Sequence, residues 1–333
     1  MIDYLRNGFY PLLITTIIIS STAKADWTAN INNTGYYTSD VALFSVTRRL
    51  SLKDDPTQPV VDRPKQGADF VYEPDAKIKW SGTNSLGKIS WSTKAGGYVF
   101  VDQTKFSHSV FETQVSQTFS TKTKIHLRYN FIPDLYLGQN TYIDGNSETY
   151  DQDEIVTTNY WSIQVDQPLN NNLTASLYGR YGLRNYNAPF QYRNTQFWTL
   201  GPRLDWAIND KTQLLVGYHY ELGNAASEES VNAHDNVSYT SNYTSAELTI
   251  QLLERLSTVF IIDYEKNNFT SNNINDLEYG TSEDVYQGEI ACLYKLHPSA
   301  TVKLGWQYGD RKLTSDNQNI VINNVWLSLI SSF

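Results

Sequence analysis

The sequence predicts an all-β chain closed into an antiparallel, up-and-down transmembrane β-barrel of about 14 strands, with 12 and 16 as the neighbouring even counts that the pattern also admits. Three observations carry this reading. From about Asp69 to Phe333, runs of roughly ten residues alternate apolar with polar. The links between runs are short, then long, then short again, and the long ones hold the acidic clusters. No run of about 20 apolar residues follows residue 20, so no helix of the mature chain is greasy enough to span a bilayer. A sandwich in water also alternates, but it has no reason to keep every second link tight. A barrel does, because its two rims face different compartments.

Composition agrees once only half of each strand is required to be apolar. The mean hydropathy of −0.44 suits a wall with one wet face. With 24 Tyr, 8 Trp and 13 Phe, the chain is rich in rings that favour strands and membrane interfaces. Arg6 and the amino group precede an apolar stretch, Pro11 to Ile19, and Ala23-Lys24-Ala25 supplies small residues where a signal peptidase reads. Residues 1–25 are therefore expected to be a signal peptide cleaved after Ala25, and residues 26–333 a single barrel domain. The apolar core of that leader is about ten residues, short of the 18 or more that an anchor helix needs. The single Cys292 forms no internal disulfide, and its neighbours in period, Ile290 and Tyr294, put it on the lipid side.

The elements follow in order. A first strand is expected within Thr34 to Arg48, with Val41 and Leu43 among its apolar members, before a proline-bearing loop from Leu50 to Gly67. The second strand sets Ala76, Ile78 and Trp80 outward and turns at Ser81 to Gly87; the third shows Ile89, Trp91, Ala95, Val99 and Val101. After a loop at Asp102 to His108, the fourth shows Phe111, Val115 and Phe119, and Ser120 to Thr123 is tight. The fifth has the cleanest two-residue period, Ile125, Leu127, Tyr129 and Phe131 alternating with Lys124, His126, Arg128 and Asn130. Its exit loop is expected to be long, Pro133 to Val156, with Asp144, Glu148, Asp151, Asp153 and Glu154.

The sixth strand shows Trp161, Ile163 and Val165, and the turn at Pro168 to Asn172 leads to a seventh with Leu173, Ala175, Leu177, Tyr181 and Leu183. The eighth carries Trp198, Leu200, Leu204 and Trp206, where Pro202 is expected to mark a bulge because it cannot donate to the ladder. After Ala207 to Lys211 come Leu214, Val216, Tyr218 and Tyr220, then an acidic loop with Glu228, Glu229 and Asp235. The tenth strand shows Ala246, Leu248, Ile250 and Leu252, and turns at Glu254-Arg255. The eleventh shows Leu256, Thr258, Phe260, Ile262 and Tyr264, followed by the Asn-rich loop Lys266 to Asp284. Ile290 and Tyr294, the turn at Pro298, and Val302, Leu304, Trp306 and Tyr308 complete strands twelve and thirteen. Counting back in twos from Phe333 gives Ser331, Leu329, Leu327, Val325 and Asn323 on the last.

An alternating final strand that ends on an aromatic residue, Phe333, resembles the assembly signal of bacterial outer-membrane barrels, and the whole mature chain is similar to porin-like members of that class in pattern. That resemblance implies a protein exported to the outer membrane of a Gram-negative envelope and folded with the help of barrel-insertion machinery. Its surroundings would be outer-membrane lipid and lipopolysaccharide.

Function should reside on the inward faces, since Lys or Arg on the lipid face at mid-membrane costs about 2–4 kcal/mol. Strands two to eight place Lys77, Lys79, Lys94, Lys124, His126, Arg128, Arg180, Arg184 and Arg203 inward; strands nine to twelve place Glu221, Glu247, Asp263 and Glu289 there, with His219 nearby. A basic arc facing an acidic arc would set a field across a pore and make passage depend on solute charge, a layout that resembles the constriction of diffusion porins. Pairing between neighbouring strands is the plainer use of the same charges. The expected function is passive diffusion of small hydrophilic solutes, and the competing expectation is a non-conducting barrel that anchors or sheathes a surface assembly.

Enzyme chemistry is not expected, because the five His are not accompanied by a Gly-x-Ser-x-Gly sequence. No cofactor is called for, and no metal site either: Asp151, Asp153 and Glu154 lack the Gly and bidentate Glu of an EF-hand. A pI near 5.1 with acidic loops argues against nucleic acid.

Overall fold

The protein is described by a computed structural model over residues 26–41, 67–143, 149–229, 236–274, 276, 278–314 and 319–333. Its strands are β1 (Asp26–Thr38), β2 (Asp69–Asn84), β3 (Gly87–Phe100), β4 (His108–Phe119), β5 (Lys124–Ile143), β6 (Thr149–Pro168) and β7 (Leu173–Tyr186). They continue as β8 (Thr195–Asn209), β9 (Thr212–Ala225), β10 (Tyr239–Leu253), β11 (Leu256–Phe269), β12 (Ser282–His297), β13 (Ala300–Leu313) and β14 (Asn319–Ser332). Each strand pairs antiparallel with the next, and β14 returns to β1, so the 14 strands form a closed barrel with no free edge.

The side-chain alternation decides which face is which. Ile262 is 70% exposed and Trp198 60%, whereas the next inward positions are covered: Asp263 is 1% exposed and Thr199 5%. Apolar side chains thus clothe the outside and polar ones the inside, the inverse of a soluble sandwich. Trp27, Trp91, Trp161, Trp206, Trp306, Tyr218, Tyr286 and Tyr308 all belong to that exposed outer set. Some polar side chains on this face are met by a tyrosine hydroxyl, as Asn242 is by Tyr218, which donates to it at 2.7 Å.

One rim carries only short links: 85–86, 120–123, 169–172, 210–211, 254–255 and 298–299. Both ends of the wall meet on that rim. The Phe333 N–H donates to the Ala29 carbonyl at 2.8 Å, and the Ala29 N–H donates to the Phe333 carbonyl at 3.0 Å. All the long connections leave from the opposite rim.

Three expectations need correction. The first strand is Asp26–Thr38 rather than a segment within Thr34 to Arg48; Val41 lies buried beyond its end, and Leu43 falls outside the described residues. Its outward positions include Asn33 and Gly35 while its inward face holds Tyr36, which blurs the two-residue rhythm. Second, the segment Pro133 to Val156 is not a long loop. β5 and β6 run on as a hairpin to Ile143 and Thr149. Register shifts between Ile132 and Leu135 and between Tyr136 and Gly138, where Asp134 and Gly138 have φ of 47° and 127°, break the period and hide the strand. Third, Pro202 makes no bulge. Leu200↔Tyr220 and Arg203↔Gly217 keep one register across it, and Pro202 itself stays opposite Leu177. The leader expected at residues 1–25, positions 50–66 of the proline-bearing loop, and Asp144, Glu148 and Asp235 lie outside the described residues.

Candidate functional site in the lumen

Glycines opposite aromatic residues shape the inner wall. Gly182, Gly223 and Gly305 face inward and pair directly with Phe197, Tyr239 and Trp326 on the adjoining strands. A Cβ at any of the three would fall inside the ring opposite, so each glycine lets an aromatic side chain lie down across the neighbouring strand. The flattened rings of Phe197 and Tyr239 then form a platform for a cation.

Arg184 occupies that platform, with its guanidinium carbon 4.0 Å from the Phe197 ring centre and 5.7 Å from that of Tyr239. It donates to the Tyr239 hydroxyl at 2.7 Å and to Glu221 at 3.4 Å. Arg180 donates to Thr199 at 2.9 Å and to Glu221, and lies 5.3 Å from the Tyr160 ring. Glu221 also accepts from the hydroxyls of Thr199 and Tyr239. One carboxylate therefore holds two guanidinium groups in a site where Arg184 is 0% exposed and Arg180 4%. Since Arg184 is on β7 and Tyr239 on β10, the contact reaches over β8 and β9 and fills that side of the lumen.

Of the residues expected to form a basic arc, Lys77, Lys79, Lys94, Lys124, His126, Arg128, Arg180, Arg184 and Arg203 all fall on the inward parity. Carboxylates on adjacent strands, which the sequence reading left out, accompany several of them. Asp75 lies 3.9 Å from Lys94, Glu112 3.7 Å from Arg128, and Asp166 2.9 Å from the His126 Nε2. Lys77 sits directly opposite Lys94. On the expected acidic arc, Glu221 is taken up by the arginines, whereas Glu247, Asp263 and Glu289 remain together on β10, β11 and β12. Local carboxylates thus accompany part of the basic set, while Glu247, Asp263 and Glu289 stay grouped on neighbouring strands.

Those three carboxylates border a lumen cavity of about 390 Å³ between β1–β3 and β9–β14. Glu73, Asp75, Lys94 and Lys303 also line it. Tyr243 donates to Asp263 at 2.8 Å, Gln287 donates to it at 2.9 Å, and Gln307 donates to Glu289 at 3.0 Å.

At the long-connection rim two further buried pairs escaped the sequence reading. Arg193 donates to both oxygens of Glu154 at 3.0 and 2.9 Å, and Arg311 pairs with Glu283, which also accepts from Asn267 at 2.7 Å. Parity counted from Gln287 and Gln307 reaches Glu283 and Arg311, so that pair was within reach of the sequence. Arg193 was not: it sits in the 3-10 segment Ala188–Arg193, which folds against the extended β5–β6 hairpin. Among the described residues, no cluster of three His, Cys, Asp or Glu side chains is arranged to hold a metal ion.

No protein-family model matches the chain, and no curated protein matches it in sequence. Solved structures do match in shape. The outer-membrane channel DcaP of Acinetobacter baumannii is 11% identical with a TM-score of 0.51, the match covering 93% of this chain and 97% of that one. An anion-selective porin from Comamonas acidovorans is 8% identical with a TM-score of 0.47, covering 93% and 100%. A BenF-like porin from Pseudomonas fluorescens is 11% identical with a TM-score of 0.41, covering 92% and 99%. At these identities the likeness concerns fold and not cargo. In fold, the chain is a closed 14-strand β-barrel similar to that of outer-membrane channels.

Proposed function

We infer that this barrel is an outer-membrane channel through which small hydrophilic solutes diffuse passively along a charged lumen. One observation carries the reading: a closed 14-strand wall keeps its apolar side chains outside and surrounds a polar cavity of about 390 Å³. Fourteen strands lie between the roughly eight at which side chains fill a barrel and the 16–18 that leave a wide aqueous bore. A narrow passage, selective by charge and size, fits that count. The reading gives the barrel no catalytic step and no cofactor. Its partners are the solute, outer-membrane lipid and lipopolysaccharide, and the machinery that inserts barrels, with Phe333 as the assembly signal.

A second reading has its own support. Inward side chains toward the long-connection rim, among them Tyr36, Val71, Phe100, Tyr160, Phe197, Tyr239 and Trp326, are buried. A lumen packed in this way suits a non-conducting barrel that anchors or sheathes other envelope components. Planar-bilayer recording of the purified protein separates the two. Stepwise openings are expected, and a silent bilayer across a wide voltage range would favour the scaffold.

A further inference from the structure

Strand parity turns few charges outward. Among the described strand residues, the outer face carries Asp151 and Asp153 on the extended part of β6, and Lys266, Asp284, Asp310 and Lys312 on β11–β13, so Lys266 and Lys312 are its only cations. Both stand on one side of the barrel. A lysine on the lipid face at mid-membrane is costly, so its height decides what it meets.

Register fixes that height. Lys266, Asp284 and Lys312 form one row across the three strands, and Leu256, Tyr294 and Val302 form another, ten residues nearer the short-link rim. Ten residues rise ~33 Å along a strand, or ~25 Å along the axis of a barrel whose strands tilt by about 40°, which is the height of the apolar band. The upper row therefore lies at the far edge of the hydrocarbon. Its rim is that of the long connections, which in outer-membrane barrels faces outside. Tyr264, Tyr286 and Tyr308 face outward just below the row, where an interfacial belt belongs.

The two lysines keep their donors. Lys266 stands 3.8 Å from Asp284 and Lys312 3.7 Å from Asp310, beyond hydrogen-bond reach, whereas Lys105 on the same rim donates to Asp153 at 2.9 Å. Asp284 accepts instead from the Tyr264 hydroxyl at 2.6 Å. The lysine side chains are 43% and 49% exposed, and Lys312 lies 5.9 Å from the Tyr286 ring centre, against the belt. Their ammonium groups are thus presented at headgroup level, where a cation attracts anionic lipid.

We propose that Lys266 and Lys312 bind a phosphate group of a lipid headgroup in the outer leaflet, the place of lipopolysaccharide, while the acyl chains lie on the apolar wall beneath. Ile262, Ile290, Leu304 and Trp306, all exposed on that wall, suit the chains. The site is on the outside of the barrel and does not depend on conduction.

The folded full-length barrel in neutral detergent tests it, with diphosphorylated lipid A as probe and lipid A stripped of both phosphates as control. Native mass spectrometry should show saturable retention of the phosphorylated form over the control. Lys266→Gln with Lys312→Gln should weaken that retention by about tenfold, whereas Lys211→Gln, in a short link on the other rim, should leave it unchanged. Asp310→Asn removes the carboxylate beside Lys312 and should strengthen retention, a gain that misfolding cannot imitate. Equal retention of the two lipids, or unchanged affinity in the lysine double variant, would overturn the proposal. Loss of binding on chelating divalent cations would do the same, by assigning the lipid to Asp284 and Asp310 through a bridging metal. Displacement by an equal concentration of inorganic phosphate would overturn the lipid assignment in favour of a free anion.

Discussion

Glu221 is the residue on which the filled side of the lumen depends, and replacing it by Gln gives a quantitative test. The substitution keeps the shape and removes the negative charge. Arg180 and Arg184 then face each other across an amide, and both are almost wholly withdrawn from water. Removing one partner of a buried ion pair costs about 3–5 kcal/mol, because the remaining charge is neither solvated nor paired. The hydroxyls of Thr199 and Tyr239 donate to different oxygens of Glu221, so one of them meets the new amide NH2 and must also find another acceptor. With a urea dependence of roughly 3 kcal/mol per molar for a chain of this size, the unfolding midpoint in lipid vesicles should fall by about 1 M or more. Glu112→Gln is the matched control: its partner Arg128 is 3.7 Å away with a side chain 30% exposed, so its loss should cost no more than about 1 kcal/mol. Adding Arg184→Met to Glu221→Gln should recover part of the loss, since a buried cation goes with it. Equal midpoint shifts for Glu221→Gln and Glu112→Gln would refute the claim that a single carboxylate organises this cluster.

Gly223→Ala places a methyl inside the Tyr239 ring and should destabilise by about 1–3 kcal/mol, whereas Gly288→Ala, with nothing within 4 Å of the new atom, should be close to neutral; heat-modifiable gel mobility compares the two, and equal melting would discard the platform argument. Ile262→Lys puts a charge on the outer wall and should cost about 2–4 kcal/mol in vesicle-embedded protein, so an unchanged midpoint would contradict the outward assignment. Cys292, exposed on the outer face, should react in vesicles with a lipid-soluble maleimide and resist a charged one; rapid labelling by the charged reagent would place it in water instead. Removing Phe333 deletes its two hydrogen bonds with Ala29 at the closing seam, and should slow folding into vesicles measurably; wild-type kinetics would leave the terminal aromatic without a role in assembly.

The amino-acid sequence alone determined the barrel, a count of about 14 strands with 12 and 16 as neighbours, and the side faced by residues in the regularly alternating strands, because a two-residue period is a local property that any stretch of eight residues reveals. It failed where that period is interrupted: at β1, whose outer face carries Asn33 and Gly35, and along β5 and β6, where bulges past Ile132 turn a strand into what reads as loop. The charged inward residues were likewise legible as a set, since parity places them. Which of them meet was not. Glu221 and Glu247 have the same residue type and parity on adjacent strands, yet one is locked between two arginines and the other lines an open cavity. Only the tertiary structure decided that difference, because closing the sheet brings residues of β7 and β10 together over two intervening strands, and the energy of a charge depends on what closure places beside it.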